Sequence, residues 1–120
     1  LLILDGYGSH ITYEFVNYCE SHDIILYCLP PHSTHLLQPL NVGLFAPLQH
    51  SYSKAVEDYF LTTNVTINRD TFYPLFKKAR QQAYTTKNIK NSFYACSIVP
   101  LQSKIVLDKL QAPKITPTEV

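Results

Sequence analysis

LLILDGYGSHITYEFVNYCESHDIILYCL, residues 1–29, decides the fold. Residues 1–4 are an apolar run closed by Asp5-Gly6-Tyr7-Gly8-Ser9, the pattern of a buried strand ending in a turn. Ile11, Phe15 and Cys19 then recur at every fourth residue with Val16 beside them. That stripe predicts one amphipathic helix reaching about His22. Residues 24–29 form a second continuous apolar run, β-branched at its start, and Pro30-Pro31 stops it because proline has no N–H to give to a ladder. Strand, helix and strand in this order make a βαβ unit, with two parallel strands and a right-handed crossover.

Beyond the prolines the pattern turns helical. Pro47 fits the first turn of a helix reaching about Phe60, with Leu48, Tyr52, Ala55, Val56 and Tyr59 on one side. Residues 61–70 are a polar connector rich in Thr and Asn, and 71–84 and 87–98 predict two more helices. The first of these carries Lys77, Lys78 and Arg80 together, a short helix follows at 103–110, and 113–120 is a frayed tail. The expected class is α/β, with a βαβ-containing region 1–60, a helical region 61–112 and the tail 113–120. Two strands close a core poorly. The chain also has no methionine and opens inside a strand, so the expectation is a fragment of a longer protein.

A hydrophobic content of 46% with nine Tyr and six Phe suffices for a globular core, and 16% charged residues with a net charge of +1 argue against disorder. No apolar run approaches the ~20 residues that span a bilayer, and no cleavable signal pattern is present, so no membrane partner is expected. Cys19, Cys28 and Cys96 are widely spaced, without a C-x-x-C pair. Three reduced thiols are expected, two of them buried in helix and strand. The near-neutral total hides an asymmetry. Residues 1–50 hold no Lys or Arg, four acids and all five histidines, whereas 51–120 hold all ten basic residues against five acids. A basic half beside an acidic, His-rich half suits a protein that holds a polyanion near a metal site; a solvated basic face on a helical tail is the plainer alternative.

The chemistry-bearing residues cluster at the strand ends. Asp5 ends the first strand, and residues 29–45, LPPHSTHLLQPLNVGLF, follow the second. In open α/β sheets ligands bind outside the carboxyl ends of the strands, so Asp5 and Asn41 could face each other there. Two carboxylates at such positions would hold Mg²⁺ or Mn²⁺, which prefer oxygen ligands and activate water for phosphodiester cleavage. An aspartate capping the next helix or turn is the ordinary alternative for Asp5. Cys28, His32 and His35, with His10, have a loosely zinc-like spacing that matches no standard finger, and hydrogen bonding that holds the turn is the simpler role for these histidines. Lys77, Lys78, Arg80, Lys87 and Lys90, interleaved with Tyr84, Phe93 and Tyr94, are candidate contacts to a nucleic-acid backbone. Ser9 and Ser33 have no paired base, so serine hydrolysis is not supported.

LLILDGYGSH, followed by LPPHSTHLLQPLNVG and by NIKNSFYACSIVPL with VLDKL, resembles the catalytic core and C-terminal helices of DDE/DDD transposases. The branch it resembles is pogo/Tigger, within the mariner group. That resemblance implies the C-terminal portion of an RNase H-like domain, metal-dependent cleavage and joining of DNA ends with Mg²⁺ or Mn²⁺, a nuclear location, and assembly with other transposase subunits. It assigns Asp5 as the second catalytic aspartate and a metal ligand. His10, His32, Ser33 and His35 match residues around the strand end and the PPHSTH turn, with the histidines near DNA. Asn41 falls where the family has its third acid, in the pattern QPLDVG, and the first acid has no counterpart here.

Several positions depart from the pattern. Tyr7 stands where His is frequent, Ser92 and Ser97 where glycines are usual, and Leu101 where Phe is usual. An amide at 41 keeps a carbonyl oxygen but removes a full negative charge beside a divalent cation. The expectation is therefore a decayed or domesticated transposase without strand-cleavage activity, the alternative being a non-catalytic nucleic-acid-binding protein that kept the fold.

Overall fold

The structure is a computed structural model that describes residues 1–8 and 11–110. Ser9, His10 and the expected tail at 113–120 lie outside the described residues.

Strand β1 (Leu2–Leu4) pairs in parallel with β2 (Leu26–Cys28), with Leu2 opposite Leu26, Ile3 opposite Tyr27 and Leu4 opposite Cys28. Helix α1 (Tyr13–Ser21) makes the crossover. Its first turn is capped by Thr12, whose hydroxyl oxygen accepts from the Phe15 N–H at 3.3 Å. Its last turn closes with Asp23 at φ 55°, the Asp23 N–H on Glu20 O and the Ile24 N–H on Cys19 O, the paired bonds of a Schellman motif. The expected βαβ unit is present, although both strands are shorter than the apolar runs that predict them.

After the prolines come α2 (Thr34–Leu37) and a π-helical turn, Leu40–Leu44, that runs directly into α3 (Phe45–Thr63). Neither short element shows in the sequence, because four or five residues are too few to display a period. Pro47 is the third residue of α3, in the first turn as expected. Helix α4 (Arg69–Ala83) starts two residues before the expected 71. Asn68 and Thr71 form a capping box there: the Asn68 side chain accepts from the N–H groups of Asp70 and Thr71 at 3.0 Å, and Thr71 Oγ1 accepts from the Asn68 N–H at 2.9 Å.

Helix α5 (Thr86–Ala95) ends before the expected 98 because Ser97 turns the chain left-handed at φ 59°. Helix α6 (Ser103–Leu107) passes into turns over the last residues of the expected 103–110.

Packing joins these elements in two places. Helices α3 and α4 meet through Tyr52, Phe72 and Phe76, with ring centroids 5.6 to 6.5 Å apart. The π-helical turn packs against α5, α3 and α2. Buried apolar residues are Cys19, Leu29, Leu44, Ala79, Ala83, Cys96 and Val106. The buried cysteines are thus one in α1 and one at the end of α5. Cys28 is exposed, contrary to the expectation of a buried strand thiol, because among the described residues β2 has only β1 beside it. The radius of gyration, 19.5 Å, exceeds the ~14 Å of a compact domain of this length, so the elements are spread out rather than wrapped around one core.

Candidate functional site

Asp5 follows β1 directly and is half-buried. The Leu29 N–H donates to Leu4 O at 2.8 Å, and a Cβ on Gly6 would stand 3.8 Å from Leu29 O. Asp5 therefore lies at the carboxyl ends of both parallel strands, where open α/β sheets bind ligands.

The turn after β2 is held by Ser33, whose hydroxyl donates to Pro30 O at 2.6 Å. His32 occupies the left-handed region at φ 58°, and His32 and His35 are both exposed. The turn-holding role expected of the histidines thus falls to serine, whose short side chain reaches a carbonyl three residues back. His10, the remaining histidine of the candidate set, is outside the described residues.

Asn41 is the second residue of the π-helical turn and is exposed. Its Nδ2 donates to Gln38 Oε1 at 2.7 Å. Single π-helical turns often mark functional positions, and this one also sets a close approach. A Cβ on Gly43 would come 3.0 Å from Ser92 Cβ and 3.2 Å from Ser92 Cα. Ser92 is itself buried, its hydroxyl donating to Asn88 O at 2.7 Å. Ser97 Oγ likewise donates inward, to Gln102 O at 2.6 Å. Both positions where the resembled pattern has glycine are therefore sterically demanding, one a helix contact and the other a left-handed turn.

Among the described residues, no three His, Cys, Asp or Glu side chains lie together so as to hold a metal ion. A hard divalent cation draws most of its affinity from carboxylates. Asp5, with an amide at position 41, does not make such a set, so the residues described do not fit the Mg²⁺ or Mn²⁺ that the resemblance implies.

The basic candidates Lys77, Lys78, Arg80, Lys87 and Lys90 are all exposed. At about 100° per residue, Lys77 and Arg80 fall on the same face of α4 as Arg69, Tyr73 and Tyr84, while Lys78 is turned away from the middle of that face by roughly 140°. The structure thus separates the trio that the sequence groups. The Arg80 guanidinium sits 5.3 Å from the Tyr84 ring centroid, a cation–π contact. Arg69 and Tyr73 are additions to the candidate surface, and their successive four-residue spacing, 69 to 73 to 77, was the available signal. On α5, Lys90 and Tyr94 line a shallow cleft of about 470 Å³ with Phe93 and Pro100.

Residues 1–93 match the family described as DDE superfamily endonuclease, and the chain belongs to that family. A protein of Cochliobolus lunatus named MFS-type transporter clz9 is 41% identical over 116 residues, which is 97% of this chain and 13% of that protein. The chain thus spans about an eighth of the length of the curated relative it matches. No solved structure matches it. Among the described residues, no helix is long and apolar enough to cross a membrane.

Proposed function

We propose that this chain is the C-terminal part of the RNase H-like catalytic domain of a pogo/Tigger-type transposase, acting in the nucleus, and that it holds DNA without cutting it. Asn41 carries this reading. It stands where the resembled pattern has its third acid, and its amide is bound to Gln38 at 2.7 Å. In phosphodiester cleavage by this class, carboxylates position the divalent ions that activate water and steady the leaving oxygen. Asp5 is the carboxylate retained for that role at the strand ends. An amide in the other position lowers the affinity for cations and removes the charge balance on which the transition state depends. What persists is the electrostatic part: the exposed cations of α4 and α5, which suit a phosphate backbone. The name of the Cochliobolus relative is not carried over to this chain, which spans 13% of that protein.

The test is duplex binding across a salt series. The logarithm of the association constant is expected to fall with log salt at a slope of about −3, one unit for each of roughly three phosphate contacts, and to be unchanged by EDTA. Absence of binding at 50 mM salt, or binding that needs Mg²⁺, would overturn the proposal.

A further inference from the structure

We infer that the face of α4 carrying Arg69, Tyr73, Lys77, Arg80 and Tyr84 binds single-stranded DNA, with bases stacking on Tyr73; this rests on the reading that the chain handles DNA. These residues succeed one another at spacings of four, four, three and four. On a helix that places them within roughly a quarter-turn of each other. Along this stripe the order is cation, ring, cation, cation, ring.

The Tyr73 ring is not needed for packing. Phe72 and Phe76 make the contacts with Tyr52 on α3, while Ala79 and Ala83 are the buried residues of α4. Tyr73 is left 63% exposed between Arg69 and Lys77. At the other end Arg80 lies over the Tyr84 ring at 5.3 Å, so its guanidinium is already held above an aromatic face. Tyr73 and Tyr84 are separated by ~16 Å along the axis, about the length of five stacked nucleotides.

Sequence-tolerant single-strand binding combines cations that follow the phosphates with rings on which bases stack. A duplex offers its phosphates to Arg69, Lys77 and Arg80 but keeps its base faces inside the stack. An acidic peptide satisfies the same cations and leaves Tyr73 without a partner. Asp70 adjoins the start of the stripe in the first turn, where it complements the helix dipole and marks the end of the cationic surface.

The experiment uses the full chain and fluorescence anisotropy with a labelled twenty-nucleotide oligo-dT and a duplex of equal length. Tyr73→Leu is expected to weaken oligo-dT binding about tenfold and duplex binding less than twofold. Tyr73→Phe, which keeps the ring, should retain parental affinity. Arg80→Gln should weaken both affinities and flatten the salt slope by about one unit. Unaltered far-UV circular dichroism confirms that the variants stay folded. Equal effects of Tyr73→Leu on both nucleic acids, no effect on either, or a Tyr73→Phe as weak as Tyr73→Leu would overturn the inference. So would displacement of oligo-dT by polyglutamate as readily as by unlabelled oligo-dT. Duplex binding together with oligo-dT binding that does not depend on Tyr73 removes the single-strand inference and leaves the DNA reading intact; failure to bind either nucleic acid removes both.

Discussion

Ser97 shows how much one residue adapts here. At φ 59° it occupies the left-handed region, where a Cβ costs ~1–2 kcal/mol. The same residue completes a Schellman closure of α5, with its N–H on Tyr94 O and the Ile98 N–H on Phe93 O. Its hydroxyl, on Gln102 O at 2.6 Å, offsets part of the strain. Ser97→Gly relieves the backbone but loses that bond, so its stability is expected within about 1 kcal/mol of the parent. Ser97→Ala keeps the strain and loses the same bond, and should lie about 1–2 kcal/mol below the glycine variant; urea-unfolding midpoints measure both. The neighbouring Cys96 thiol is pushed above its usual range by burial, with Lys109 partly opposing the shift. On raising the pH the unfolded chain therefore loses this proton first, near pH 8.5, while the folded chain keeps it. Stability contributed by Cys96 is full below that pH and declines as pH rises through the folded thiol's range. Cys96→Ala should show a shallower loss of stability between pH 8 and 10 than the parent, and parallel profiles would contradict this. The amide at position 41 was legible in the sequence against the pattern QPLDVG; its bond to Gln38 was not, since an i, i+3 pair says nothing until the intervening turn is known.

At the scale of elements, the close approach of Gly43 to Ser92 locks the π-helical turn onto α5. A methyl at 43 would collide with Ser92, whose Cβ and Cα lie 3.0 and 3.2 Å away and belong to a helix that cannot shift cheaply. Gly43→Ala is expected to destabilise the chain by about 1–3 kcal/mol, and adding Ser92→Gly should restore most of the loss, a non-additivity that thermal unfolding of the four proteins measures. Additive losses would mean that the two elements do not share this contact. The βαβ unit was readable because each strand is a continuous apolar run and α1 carries a regular stripe from Phe15 to Cys19. The turn around Asn41 was not readable, because α2 and the π-helical turn are each shorter than the period that would reveal them. The start of α4 was missed for another reason: Asn68 and Thr71 carry a capping box, but the polar connector in which Asn68 lies resembles loop.

Across the whole molecule, a short parallel sheet, exposed apolar residues such as Leu101 at 85% and a radius of gyration of 19.5 Å describe an open scaffold, with Asp5 at the strand ends and the cations on separate helices. Composition predicted a globular chain with a basic half, and the structure places six of the ten cations of that half on α4 and α5, all of them exposed. Which cations share a face depended on helix phase, so Lys78 parted from Lys77 and Arg80 only once α4 was in hand. The central claim is that this member of the DDE superfamily endonuclease family grips DNA and leaves it intact. The measurement that tests it most directly is conversion of supercoiled plasmid to nicked circles in Mn²⁺, for the parent chain and for Asn41→Asp. No nicking above the protein-free control is expected from either, because restoring the acid at 41 still leaves the first acid of the resembled pattern without a counterpart. Nicking by the parent chain that is abolished by Asp5→Asn would contradict the account.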